Sequence, residues 1–315
     1  MDNLLFSLNV VAPLFVLMGL GYVLRLIKFV SEDFLGQLNK FVFKLCLPLM
    51  LFEDIRHSFH GEITNSKLIL CAFIGIMVVI LLSVLIVPLF IKRKGQQGSM
   101  IQGIYRSNFL IYGLPLAVGM YGDAARAEIS MLMGIMIPVY NVAAVIILTF
   151  FSETGDKRIS VKNILKDIVT NPLIIGCAFG MLAGWSHLEL PRFLDTPVSL
   201  LAGTGAPLAL FVLGGEFKFQ ALKNNLRKVA ATTLLRLAIV PVCALAVFIQ
   251  MGFRDVELAV MLSIFATPAA MAGYIMAKNM GNDGELAGQI VVLTTACSCI
   301  TIFLLIFFLK SWGYL

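Results

Sequence analysis

Ten apolar stretches, each close to the length of a bilayer crossing, constrain this chain more than any other feature. A helix needs about 20 mostly apolar residues to span the hydrocarbon core. The stretches fall at about 4–26, 37–54, 67–91, 99–121, 126–151, 168–187, 196–217, 228–251, 256–278 and 286–310, joined by short polar segments. Of the 315 residues, 59% are hydrophobic and 13% charged, against about 45–50% and about 25% in soluble domains. A water-soluble globular protein, a disordered chain and a nucleic-acid binder are all excluded. A β-barrel would instead alternate apolar and polar residues over about ten positions per strand. The first stretch follows Asp2 and precedes Arg25 and Lys28. It lacks the basic flank of a signal peptide and is expected to remain as a helix.

The net charge of +6 contains no basic run longer than Lys92-Arg93-Lys94, so it records orientation rather than a polyanion partner. Alternate connections hold 17 of the 24 Lys and Arg, among them Lys94 and Arg106; the other side holds 6, and Arg236 sits inside a span. Basic residues collect on the cytoplasmic side. The expectation is a multi-pass plasma-membrane protein with both termini outside.

Internal symmetry lies in the prolines. Pro48-Leu-Met-Leu-Phe52 returns as Pro207-Leu-Ala-Leu-Phe211, Ile86-Val-Pro88 as Ile239-Val-Pro241, and Pro13-Leu14 as Pro172-Leu173. Pro115, after Gly113-Leu114, returns as Pro268, after Ala266-Thr267. Four pairs at nearly one spacing predict two repeats, 1–155 and 156–315. With five spans each, an odd number, the halves must have inverted topology. The expected fold is therefore an all-α integral membrane protein of ten transmembrane helices, the plan of many secondary transporters.

The fourth and ninth spans each carry a proline near the middle. Proline removes a helical hydrogen bond and clashes with the preceding turn, and unwound backbone survives in lipid only inside protein or beside a wet cavity. Thr267-Pro268 reads as a helix restart, Thr as N-cap and Pro at the first helical position. Two broken helices crossing near the midplane are expected, with breaks at Gly113–Pro115 and Thr267–Ala269. Each second half-helix would aim free N–H groups and partial positive charge at the crossing, which suits an anion.

The polar residues fit this frame. Asn108 stands beside the expected break, with donors and acceptor to bind substrate or cap loose backbone. Arg236 either raises the local potential for an anion, ties the helices together, snorkels, or pairs with Glu216. Asn171, before Pro172, is a substrate contact or a helix cap. Asn141, Thr204, Ser263, Thr294, Thr295 and Ser298 read as interhelical hydrogen-bonding groups. Glu53, Asp54, His57, His60 and Glu62 match no metal-binding motif, and no metal or cofactor is expected. All six cysteines fall within spans as small apolar residues. The glycines at 19, 21, 180, 184, 203, 205, 214 and 215 read as close-packing or hinge positions. GxSxG, HExxH and a P-loop are absent, so an enzyme is not expected. Ion gradients or the membrane potential must supply the energy, with coupling to H⁺ or Na⁺ left open. An anion channel and a sensor retaining a carrier fold are the alternatives to a secondary carrier.

The segments Leu38–Phe52, Ser107–Asp123, Asn171–Gly176, Ala206–Phe217, Leu234–Pro241 and Ala266–Asp283 together resemble the auxin efflux carrier family, over nearly the whole chain. That family includes plant auxin exporters and bacterial permeases of malate- or malonate-like acids. The long loop between the halves of the plant members is missing, so the chain is similar to the compact bacterial type. The resemblance implies a scaffold of spans one, two, six and seven, through which a homodimer would form. It also implies a mobile transport domain of spans three to five and eight to ten, working by elevator-type alternating access. It further implies that Asn108 and Asn171 contact a small organic anion. With the residues of the crossing itself, the expected site comprises Asn108, Gly113, Pro115, Asn171, Arg236, Thr267, Pro268 and Ala269.

Overall fold

The computed structural model describes residues 2–58, 65–153, 166 and 168–315, all helix and connections apart from one isolated bridge. Helix α1 spans Asp2–Leu26, α2 Glu32–Ser58, α3 Ser66–Phe90, α4 Lys94–Tyr105, α5 Phe109–Tyr121 and α6 Asp123–Phe150. Then follow α7 Pro172–Trp185, α8 Arg192–Glu216, α9 Leu222–Gln250, α10 Asp255–Phe265, α11 Met271–Asn279 and α12 Gly284–Ser311. Six of these (α2, α3, α6, α8, α9 and α12) are long and apolar enough to cross a membrane by themselves. The expected fourth span is divided into α4 and α5, the ninth into α10 and α11, and α7 has 14 residues. Within the expected second and eighth spans the helix runs on without a break.

Three π turns interrupt regular α-helix, at Val42–Cys46, Phe109–Gly113 and Leu235–Ile239. Each is followed after one residue by a proline: Pro48, Pro115 and Pro241. A helical proline clashes with the carbonyl four residues earlier, which in each case lies inside the π turn. The wider turn moves that carbonyl away, so the helix continues. The matched prolines of the two halves are not treated alike. Pro207 and Pro88 sit in plain α-helix, and Pro268 in an interruption.

Two helix pairs pack closely. A side chain at Gly214 would overlap the Met18 carbonyl, so α8 lies against α1 backbone to backbone. Gly176 meets the Pro48 carbonyl in the same way, bringing α7 onto α2. This is the small-residue packing that membrane helices use where no hydrophobic drive exists between them. The α2–α8 contact is closed at one end by Arg56, which binds Glu53 on its own helix and Asp195 across on α8. His57 Nε2 also lies 3.0 Å from Glu53 Oε2. His60 and Glu62 lie outside the described residues, as do Lys157, Arg158 and Lys162 of the charge tally.

At the other end, Arg93 grips the Glu153 carboxylate through Nε and Nη2 at 2.8 and 2.9 Å. The guanidinium holds that carboxyl below its ordinary range. Gln96 donates to Asp283 Oδ2 and Ser99 to the Asp283 carbonyl. The starts of α4 and α12 and the segment after α6 are thereby tied together.

Candidate substrate site at two paired helix interruptions

The interruptions at 106–108 and 266–270 lie against each other. Ser107 and Ala269 form an antiparallel bridge. Asn108 N donates to Pro268 O at 2.9 Å, and Ala270 N donates to Arg106 O at 3.1 Å. Ala269 N donates to Thr294 Oγ1 on α12 at 3.2 Å. Unwound backbone at membrane depth needs such internal partners. Each interruption supplies them to the other.

The first break is not where the prolines placed it. Gly113 and Pro115 are inside α5, the proline accommodated by its π turn, and the chain leaves the helix at Arg106–Asn108. Gly113 packs α5 on α10, its carbonyl accepting from Ser263 Oγ at 3.0 Å. The second break falls where expected, but the helix restarts later. Thr267 makes no cap, and α11 begins at Met271 with Ala270 in the extended N-cap position. The bridge requires extended residues on both strands before either helix can resume. Pro268 suits this position because its carbonyl is used and its missing N–H is not needed.

Arg236, 1% exposed, reaches the crossing from the π turn of α9. Nε donates to Thr267 O at 2.8 Å, Nη1 to Ile104 O at 3.1 Å and Tyr105 O at 3.3 Å, and Nη2 to Ile264 O at 3.1 Å. These carbonyls lie at the ends of α4 and α10, where backbone acceptors lack helical partners. Two helix C-termini carry about −0.5 charge each, so one guanidinium balances the pair. It neither snorkels nor pairs with Glu216, which binds Tyr274 and Lys278 instead.

Arg106 is the residue that sequence reading misplaced. Counted with the cytoplasmic connections, it is 5% exposed in the first interruption; removing it leaves that tally at 16 against 6. Nη2 donates to Asn141 Oδ1 at 2.8 Å. The Gln102 amide, turned to satisfy both neighbours, accepts from Nη1 at 3.0 Å and donates to Gly273 O at 3.2 Å. No carboxylate pairs with Arg106 or Arg236 among the described residues. The available signal was the polar triplet Arg106-Ser107-Asn108 ahead of an apolar run.

Asn108 is 8% exposed and precedes α5, yet its side chain makes no capping bond. Its amide has no hydrogen bond among the described residues, while its backbone holds Pro268 and Tyr112. Asn171 is elsewhere. Its Oδ1 caps α7 by accepting from Leu173 N at 2.9 Å, and its Nδ2 faces Met280 Sδ. Met280 follows the far end of α11, about 13 Å along the helix from the crossing at about 1.5 Å per residue. Of the expected site residues, Asn108, Thr267, Pro268, Ala269 and Arg236 converge; Gly113 and Pro115 stand one to two turns along α5, and Asn171 is separate.

Comparison with known proteins identifies the family. The profile of the family described as Membrane transport protein matches residues 6–306. A protein of Rhizobium meliloti named "Putative malonate transporter" is 25% identical over 96% of this chain and 96% of its own length. An uncharacterized transporter of Methanothermobacter thermautotrophicus is 23% identical over 94% and 96%. Auxin efflux carrier component 8 of Arabidopsis thaliana is 22% identical over 90% and 93%. These relatives are transporters rather than enzymes, and the match extends across the helices that build both interruptions. This chain belongs to the membrane transport protein family that includes the auxin efflux carriers.

Proposed function

We propose that this protein carries a small organic anion, a mono- or dicarboxylate, across the plasma membrane, and that the paired interruptions are its binding site. The observation that carries the reading is Arg106: a buried guanidinium at the crossing with no carboxylate among the described residues to balance it. A charge at membrane depth is costly and normally has a partner or a wet cavity. Arg236 is balanced by helix ends; Arg106 is not. The N-termini of α5 and α11 add about +0.5 each, giving a local excess of about two positive charges. A dianion of malonate size fits that balance, and the Rhizobium meliloti relative's name makes malonate the first probe. Asn108 would hydrogen-bond the carboxylate with its uncommitted amide, and backbone at Thr267–Ala269 would line the same space.

The transport cycle proposed is the one that the family resemblance implies. The chain crosses the bilayer ten times as two inverted halves, 1–155 and 156–315, with both termini outside. Helices α1, α2, α7 and α8 form a scaffold, the surface for a homodimer, and the remaining helices carry the crossing from side to side as one body. The glycine-mediated packing of α1 on α8 and α2 on α7 supports the scaffold grouping. The test is a thermal-shift series with malonate, malate and acetate on purified protein, with and without Na⁺, followed by counterflow in proteoliposomes. Dicarboxylates should raise Tm with concentration, and preloaded vesicles should accumulate labelled malonate. Stabilisation only by cations or neutral sugars would overturn the anion reading.

A further inference from the structure

A cleft of about 380 Å³ separates α1, α2 and α8 from α11 and α12, lined among others by Arg25, Glu32, Glu216, Lys278 and Gln289. A second, much smaller space of about 10 Å³ lies at the crossing itself, lined by Ala269, Ala270 and Ala287 among others. One residue lines both: Tyr274, on the first turn of α11, 3% exposed. Its ring lies against Gly288 of α12, where a Cβ would come within 3.3 Å of Cδ2. Its hydroxyl donates to Glu216 at the end of α8, and Lys278, one turn further along α11, donates to the same carboxylate oxygen. Asn279 reaches Asn39 of α2 beside them. Consecutive turns of the half-helix that starts at the crossing are thus fastened across the cleft.

We propose that Tyr274 is a gate between this cleft and the crossing, and that Glu216 is the latch that holds it closed. The gate rests on the crossing being the binding site, as argued above. For a solute to pass from the cleft to Ala269 and Ala270, the ring must leave Gly288. It cannot swing without releasing Glu216. Lys278 holds the carboxylate in place, so the latch is a charge-assisted bond. Neither Tyr274 nor Glu216 is a binding residue; both act on access.

The reporter is Ala287→Cys, behind the ring and 5% exposed, labelled in purified protein with a small hydrophilic thiosulfonate and corrected for the six native cysteines. Tyr274→Phe keeps the ring and removes only the donor; Glu216→Gln removes the charge. Each should speed labelling at 287 by about tenfold or more, the worth of one hydrogen bond to a charged group. Half-saturation of the malonate thermal shift should stay within about twofold, as for sites that do not share partners. Labelling unchanged in Tyr274→Phe overturns the gate, even if Glu216→Gln does not fold. Loss of malonate binding in Tyr274→Phe also overturns it, by making Tyr274 part of the site. If malonate fails to bind the unsubstituted protein while labelling responds, the substrate reading falls and the gate stands.

Discussion

Residues 106–108 and 266–270 both leave the helical path and pair with each other, yet only the second contains a proline. In the second, Pro268 sits in the extended segment and contributes a carbonyl to Asn108. In the first, the matching proline lies seven residues downstream, absorbed by a π turn, and the break is made by Arg106-Ser107-Asn108. The first interruption brings the charge and the free amide; the second brings backbone geometry. The two interruptions therefore differ in role. A proline marks where a helix is stressed, while polar side chains and available partners decide where it opens.

Substitutions at the crossing probe this division of labour. The largest effect belongs to the group that serves both breaks. Arg236→Gln should lower stability by about 3–5 kcal/mol, since it leaves carbonyls on two helix ends without donors in a buried site. Arg236→Lys should rescue little, because an ammonium cannot span four acceptors as the planar fork does. A Tm within a degree of the parent in either variant would show that the helix ends do not need the shared cap. Next comes Pro268→Ala. It permits 266–270 to wind into helix and removes the Pro268 acceptor from Asn108; counterflow should stop while membrane insertion, read by protease protection, is kept.

Arg106→Gln should weaken malonate by about 10- to 150-fold, the equivalent of a charged hydrogen bond of about 1.5–3 kcal/mol, with a smaller loss of Tm than Arg236→Gln. Equal damage from the two arginine variants in both assays would erase the distinction between a balanced and an unbalanced charge. Asn108→Ala should cost about 1–2 kcal/mol of malonate affinity, about 5- to 30-fold, through one lost hydrogen bond. Its Tm without ligand should barely move, because the side chain bonds nothing among the described residues. The smallest change is expected for Pro115→Ala. The π turn has already relieved the proline, so stability should shift by less than about 1 kcal/mol and exchange should continue; arrested exchange would place the working break at Pro115 after all.

The sequence revealed apolar length, proline spacing and the second break, because each is a local property of the chain. Pro268 was legible since it lies within the interruption itself. Arg106 was not: it stands between a basic connection and an apolar run, so its charge was read as an end marker. Arg236 was visible as an odd charge, but its role depends on four carbonyls from helices 28 to 132 residues away, which no window of sequence contains. Asn171 is a different case: Asn-Pro at a helix start already pointed to the cap that the structure displays, while the substrate contact came from the family resemblance alone. Pairing with Arg236 was one reading open for Glu216; its actual partners, Tyr274 and Lys278 on α11, become neighbours only when the chain has packed.

The bridge between Ser107 and Ala269 also dictates an order of assembly. Its two strands are about 160 residues apart, and at about 5–20 residues per second of synthesis the first waits roughly 10–30 s for the second. During that interval the amides after Arg106 have no partner from the second half, and lipid offers none. The nascent first half must therefore remain beside the insertion machinery, in a wet groove or in contact with a chaperone, until α10 and α11 emerge. Arg236 is made before the second strand but can bind only Ile104 and Tyr105 at that point. A chain stalled before residue 266 is thus half-capped.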